Sequence, residues 1–333
     1  MRTPEYLSPT SIKKYCDDIQ DFYFRYLCDI RIPREPQTQP MSIGSAFDAY
    51  VKSYLHTSLF GKGHDLRYEL GTIFEEQVAE HNRDWAWKHG KIVFEEYKLS
   101  GCLADLMLEL SQAVGKPRFE FTIQDKISSD VGEIPLLGKP DVFFINSEGA
   151  RVVYDWKVNG YCSPRLKSPM KGYVKLRSKV DGTYYPEVHK KCVYFNFKGI
   201  LINSAMFLED GDKGWADQLS VYSWLLGEEI GSEEIIFGID QVCGPADRLR
   251  FASHRLKISP EYQYNLFALI KQIWTVIESG WIFRSMSEEQ SKARCELLDS
   301  QAKAMVGGDV NHETREIGGL PEATTTAFAR MVQ

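Results

Sequence analysis

The spacing of apolar residues changes along the chain, and each change marks an element. Ile12, Tyr15, Ile19, Phe22, Tyr23, Tyr26 and Leu27 recur at three and four, which predicts an amphipathic helix running to about residue 28. Ser8 suits its N-cap and Pro9 its first turn. The stretch from Pro33 to Pro40 breaks the pattern, and Gly44 is read as opening a second helix, with Phe47, Tyr50, Val51, Tyr54 and Leu55 on one face. Further helical patterns lie near 68–88 and 101–114.

At Pro117 the period shortens. Phe119 to Ile123, Ile134 to Leu137, Asp141 to Ile145 and Arg151 to Lys157 read as short strands, with Asn146 to Gly149 as a turn between the last two. Trp215 to Leu226 is helical, and Ile235 to Val242 and Leu249 to Ile258 are predicted strands. Leu266, Leu269, Ile270, Ile273, Trp274 and Ile277 form the buried face of a long helix from Pro260 to Ser279, with Gly280 just past its end. A last helix covers 287–305.

This order predicts an α/β protein with a central mixed β-sheet flanked by helices. The expected arrangement is a single domain over 1–306: helices over 8–115, a sheet region over 117–258 carrying an insertion at 160–214, and helices over 260–305. The polar residues 307–333 read as a flexible tail.

Composition narrows the class. Apolar residues make up 43% and charged residues 26%, as in an ordinary globular protein with a sizeable core. No apolar run nears the roughly 18 residues that cross a bilayer, and Met1 to Tyr15 lacks a secretory stretch. A cytoplasmic protein without membrane attachment is expected. The seven cysteines are scattered without C-x-x-C spacing, which argues against a disulfide framework or a zinc site.

The net charge of −6 hides a local patch. Between Gly160 and Gly199 stand Arg165, Lys167, Lys171, Lys175, Arg177, Lys179, Lys190, Lys191 and Lys198, against only Asp181 and Glu187. Tyr161, Tyr173, Tyr184, Tyr185 and Tyr194 are interleaved with them. Cations that track phosphates and rings that stack on bases suit single-stranded nucleic acid. A solvated loop is the plain alternative.

The candidate chemistry lies in the predicted hairpin. Asp155 and Lys157 share one face of a strand whose other face carries Val152, Tyr154 and Trp156. The hairpin can bring Asp141 alongside Asp155, and two adjacent carboxylates favour a hard divalent cation such as Mg²⁺ or Mn²⁺. A salt bridge between Lys157 and the two aspartates accounts for the same residues without catalysis.

Pro140-Asp141 followed by Asp155-Trp156-Lys157 resembles the signature of the PD-(D/E)XK nucleases. Gly138-Lys139-Pro140-Asp141 and Gln218-Leu219-Ser220-Val221-Tyr222 resemble the G-x-x-D and Q-x-x-x-Y motifs of its RecB-like and phage-exonuclease branch. Ser11 to Tyr15 and Phe22 to Tyr26 resemble that branch's opening helix. One position departs: where the branch has G-x-x-x-H, this chain has Gly44-Ser45-Ala46-Phe47-Asp48.

The resemblance implies a restriction-endonuclease-like core and an Mg²⁺- or Mn²⁺-dependent deoxyribonuclease. An exonuclease acting on DNA ends in phage or bacterial recombination or repair is favoured over an endonuclease. It implies metal ligation by Asp141, Asp155 and the Trp156 carbonyl, with Asp48 and Glu120 as further candidates. Lys157 would handle the attacking water, and Gln218 and Tyr222 would border the site. No iron–sulfur cluster is expected, because Cys243 and Cys295 stand far apart. No G-x-x-x-x-G-K-[ST] occurs, so any helicase or recombination partner is a separate chain. If the chain is phage-encoded, the compartment is the host cytoplasm. A DNA-binding module that has lost catalysis is the alternative.

Overall fold

A computed structural model of the chain describes residues 1–33, 35–164, 194–204 and 206–307, with the backbone alone of 179–180 and 183–184. The cationic side chains proposed to touch DNA, Arg165, Lys167, Lys171, Lys175, Arg177, Lys179, Lys190 and Lys191, lie outside the described residues, as does the tail from 308.

The N-terminal region is helical, with boundaries that correct the periodicity. In place of one helix to residue 28 there are α1 (Pro9–Asp17), α2 (Ile19–Phe22) and a π-helical turn at Tyr23–Leu27. Asp18 causes the break: its side chain accepts from the backbone N–H of Gln20 and Asp21, so it caps a new helix rather than continuing the old one. The next helix, α3 (Gln39–Phe60), begins before Gly44, because Pro40 falls in its first turn, where proline is tolerated. The pattern near 68–88 resolves into α4 (Leu70–Gln77) and the start of α5 (Arg83–Leu99), and α6 (Cys102–Ser111) follows.

The strands β1 (Arg118–Phe119), β2 (Ile123–Ser129), β3 (Gly132–Gly138), β4 (Val142–Ile145) and β5 (Arg151–Asn159) come next. Then come β6 (Lys179–Val180), β7 (Thr183–Tyr184), β8 (Tyr194–Phe197) and β9 (Ile200–Asn203), followed by α7 (Leu208–Gly211) and α8 (Lys213–Leu225). The chain continues with β10 (Ile235–Cys243), β11 (Arg250–Leu256), α9 (Pro260–Ser279) and α10 (Glu288–Gly307).

Five strands form one mixed sheet in the order β1-β4-β5-β10-β11. β4 and β5 are the expected antiparallel hairpin, with Val142 opposite Tyr154. β5 and β10 run parallel, and β11 closes the far edge antiparallel to β10. β2 and β3 form a separate two-stranded sheet, and Leu7 adds a parallel bridge to Leu136 of β3.

The sheet is covered on both faces. Val152, Tyr154 and Trp156 of β5 pack with Phe47, Val51 and Leu55 of α3 and with Tyr97 of α5. Val153 packs on the opposite side with Trp215, Leu219 and Tyr222 of α8. A third cluster joins the N-terminal helices to β3, α8, α9 and α10. At the centre, Gly238 of β10 stands beside Tyr154, and a Cβ there would lie 2.3 Å from that ring. The tyrosine fills the space that the glycine leaves. No helix among the described residues is long and apolar enough to cross a membrane.

His254 of β11 gives the fold a testable acid sensitivity. Its ring is 5% exposed, lies 6.4 Å from the Trp215 ring, and its Nε2 has no hydrogen-bond partner. Burial, aided by neighbouring Arg255, pushes the imidazole down to about 4. The unfolded chain takes up a proton below about 6.5, whereas the folded chain does not until near 4. This contribution is therefore fully present above 6.5 and is lost as pH falls towards 4, by about 3 kcal/mol. His254→Leu is expected to shrink the loss of stability between pH 7 and 4.5, read from urea midpoints. An unchanged difference would assign the acid sensitivity to other groups.

Candidate active site

Asp141 is the junction of two charged clusters. It was expected to open the strand but lies just before β4, which starts at Val142, and its two oxygens face different partners. Oδ2 accepts from the Trp156 backbone N–H at 3.1 Å, and Oδ1 accepts from Lys52 Nζ at 3.0 Å.

The first cluster surrounds Lys52, on α3. Its ammonium, 1% exposed, also donates to Asp48 Oδ2 at 2.6 Å and Glu120 Oε2 at 3.0 Å. Gln77, at the end of α4, donates to the same two carboxylates at 3.0 and 2.7 Å. Lys139 pairs with the other oxygen of Glu120. A cavity of about 270 Å³ opens here, lined among others by Gly44, Ser45, Asp48, Lys52, Gln77 and Glu120.

Glu120 was expected on a strand running from Phe119 to Ile123, but β1 ends at Phe119. Glu120 instead has φ of 38°, a region costly for any residue with a Cβ. Its N–H donates to the Asp141 carbonyl at 2.9 Å, and the turn of backbone aims its carboxylate at Lys52.

The second cluster lies towards α8. Lys157 donates to Gln218 Oε1 at 2.6 Å and pairs with Asp155. Gln218 Nε2 donates to the Tyr222 hydroxyl at 2.8 Å, with Asp155 Oδ1 at 3.5 Å. Gln218 and Tyr222 meet because they stand one helical turn apart. Gly138 lets this helix approach: a Cβ there would lie 2.7 Å from the Tyr222 ring and 2.8 Å from Leu225.

The electrostatics separate the carboxylates. Burial pushes Asp155 up to about 8, outweighing the nearby Lys157 ammonium. Burial acts on Asp141 in the same direction, but Lys52, a hydrogen bond donated by the Asp155 carboxyl, and Lys157 hold it below its ordinary value. Burial likewise pushes Asp48 up to about 7 against the pull of Lys52. Lys52 is held above its ordinary value: burial opposes its charge, and Asp141, Asp48 and Glu120 together overcome that.

The residues singled out from the sequence are thus brought together: Asp141, Asp155, Lys157, Gln218 and Tyr222 around β5, with Asp48 and Glu120 on the far side of Asp141. Sequence reasoning missed Lys52 and Gln77. Lys52 had a signal, being one turn after Asp48 and next to Val51 in a helix with an apolar face. Gln77 had none.

The donor chemistry suits a hard cation, all oxygen and partly unsatisfied. Asp48 Oδ1 and Asp155 Oδ2 are buried without a hydrogen-bond donor, the latter only ion-paired with Lys157. Among the described residues, however, no three carboxylate, histidine or cysteine side chains stand in a ready-made metal cage. The centre of the three carboxylates is taken by the Lys52 ammonium.

No family model and no curated protein matches the chain. A solved structure described as "Crystal structure of SSO0001" is similar over 79% of this chain and 84% of its own, at 11% identity and a TM-score of 0.25. A likeness that loose carries no argument about fold or function.

Proposed function

We propose that the chain is a metal-dependent deoxyribonuclease with a PD-(D/E)XK core, acting on DNA ends. The observation that supports this best is the junction at Asp141, which sets one carboxylate beside Asp155 and within reach of Asp48 and Glu120, with a lysine held on the same strand as Asp155. The recombination or repair setting rests on the sequence resemblance.

Asp141, Asp155 and the Trp156 carbonyl are the groups that would hold Mg²⁺ or Mn²⁺, with Asp48 and Glu120 at hand. Bound there, the ion lowers the pKa of water and offsets charge on the scissile phosphate. The chain's own residues arrange the rest. Lys157 presents an ammonium able to orient the attacking water and to stabilise charge growing on the phosphate. The Tyr222 hydroxyl accepts from Gln218 Nε2, which leaves Gln218 Oε1 facing Lys157 and fixes that ammonium.

End-labelled linear DNA and covalently closed circular DNA, each incubated with Mg²⁺ or Mn²⁺, test the proposal. Degradation of the linear form alone, stopped by a chelator, is expected. Cutting of the circle would keep the chemistry and make the protein an endonuclease. Binding without cutting of either would replace the proposal with an inactive DNA-binding module.

A further inference from the structure

We propose that Lys52 is a built-in cation that fills the carboxylate site when no divalent ion is bound and is displaced from it when one binds. The inference rests on reading the site as a metal centre, and goes beyond it by assigning a role to a residue outside the predicted set.

An ammonium has three N–H donors and no acceptor. Here each donor has its own carboxylate: Asp48 at 2.6 Å, Glu120 at 3.0 Å and Asp141 at 3.0 Å. These acids come from α3, from the turn after β1 and from the residue just before β4. Convergence of three carboxylates from separate elements on one buried point defines a cation position, and the tertiary fold fills it from within. Without that ammonium, three partly buried anions would face one another, offset at the edges by Lys139 on Glu120, by Lys157 towards Asp141 and by the neutral donors of Gln77.

Two features make the occupant exchangeable. Lys52 is tethered by a flexible four-carbon stem, so it can leave by rotation of its own side chain while the α3 backbone stays fixed. The cavity beside it, bordered by Gly44, Ser45 and Val158, gives the ammonium somewhere to go. Asp48 and Lys52 stand one helical turn apart on α3, so the carboxylate and the ammonium that balances it come from the same helix.

A divalent ion must therefore compete with an internal ligand, and removing the ligand should tighten ion binding. Calorimetric titration with Mn²⁺ of the wild type and of Lys52→Met tests this. The variant is expected to bind at least about tenfold more tightly, and Mn²⁺ should raise its unfolding temperature more than that of the wild type. Equal or weaker binding by the variant, with the wild type still binding, overturns the displacement and leaves the metal centre standing. If neither protein binds Mn²⁺, the metal-centre reading falls and takes this inference with it.

Should Lys52→Met fail to fold, the wild type answers alone. Acetylation with an amine-reactive reagent, mapped by peptide mass spectrometry, should leave Lys52 unmodified in chelator and modify it under saturating Mn²⁺. Protection in both conditions, with Mn²⁺ shown to be bound, refutes displacement.

Discussion

Asp141→Asn is expected to remove detectable DNA hydrolysis and to lower stability by about 1–3 kcal/mol. The substitution keeps the shape of the side chain and changes only what its two terminal atoms can accept. In the wild type both atoms face donors, Lys52 Nζ on one side and the Trp156 N–H on the other. An amide turned either way sets its NH₂ against one of them, so no flip restores both hydrogen bonds. The charge that Lys52 and any divalent ion require is lost as well. Hydrolysis of linear DNA and thermal unfolding of the same preparation measure the two effects. A stable variant that still cuts at the wild-type rate would remove Asp141 from the chemistry.

Arg255→Met is expected to cost about 3–5 kcal/mol, the scale for stripping one partner from a buried ion pair. Arg255 of β11 reaches Glu109 of α6 through Nε and Nη2 at 3.1 Å each, and its Nη1 lies 3.7 Å from Asp240 Oδ1. Its guanidinium also sits 4.5 Å from the centre of the Tyr154 ring. Asp240 is 1% exposed on the central strand β10, where it accepts from the hydroxyls of Tyr97 and Ser253. Glu109 can recover water when the arginine is lost, but Asp240 cannot. Tyr97 in turn accepts from Trp156 Nε1 at 3.3 Å, so the network supports the strand that carries the candidate site. Arg255→Lys keeps the charge but not the fork, and should fall between the two. Urea unfolding decides it: a loss below about 1 kcal/mol would mean that Asp240 is satisfied by its hydroxyl partners alone.

How much of this was legible depended on whether the cause was local. The β4–β5 hairpin and the helix from Pro260 to Ser279 follow from turn residues and periodicity, and both appear as expected. The grouping of Asp155 with Lys157, and of Gln218 with Tyr222, follows from the periods of strand and helix. The helix break at Asp18 was missed because apolar spacing continues past it, while the break comes from a side chain bonding to backbone. Glu120 was placed on a strand because Phe119 and Phe121 alternate around it, a pattern silent about its φ. Lys52 and Gln77 gain their meaning only when α3 and α4 meet β1 and β4. Asp240 was hidden in the same way, as one acid in an apolar run whose partners come from α5 and β11.

The carboxylates around Lys52 and the groups around Lys157 come from chain positions as far apart as 48 and 222. Contacts of such long sequence separation carry a loop-closure cost that slows folding. A chain emerging from the ribosome therefore carries every acid of the first cluster well before it carries Gln218 and Tyr222. Until α8 docks, Lys157 lacks the amide that holds it, so the second cluster is completed only in chains that have folded past residue 222.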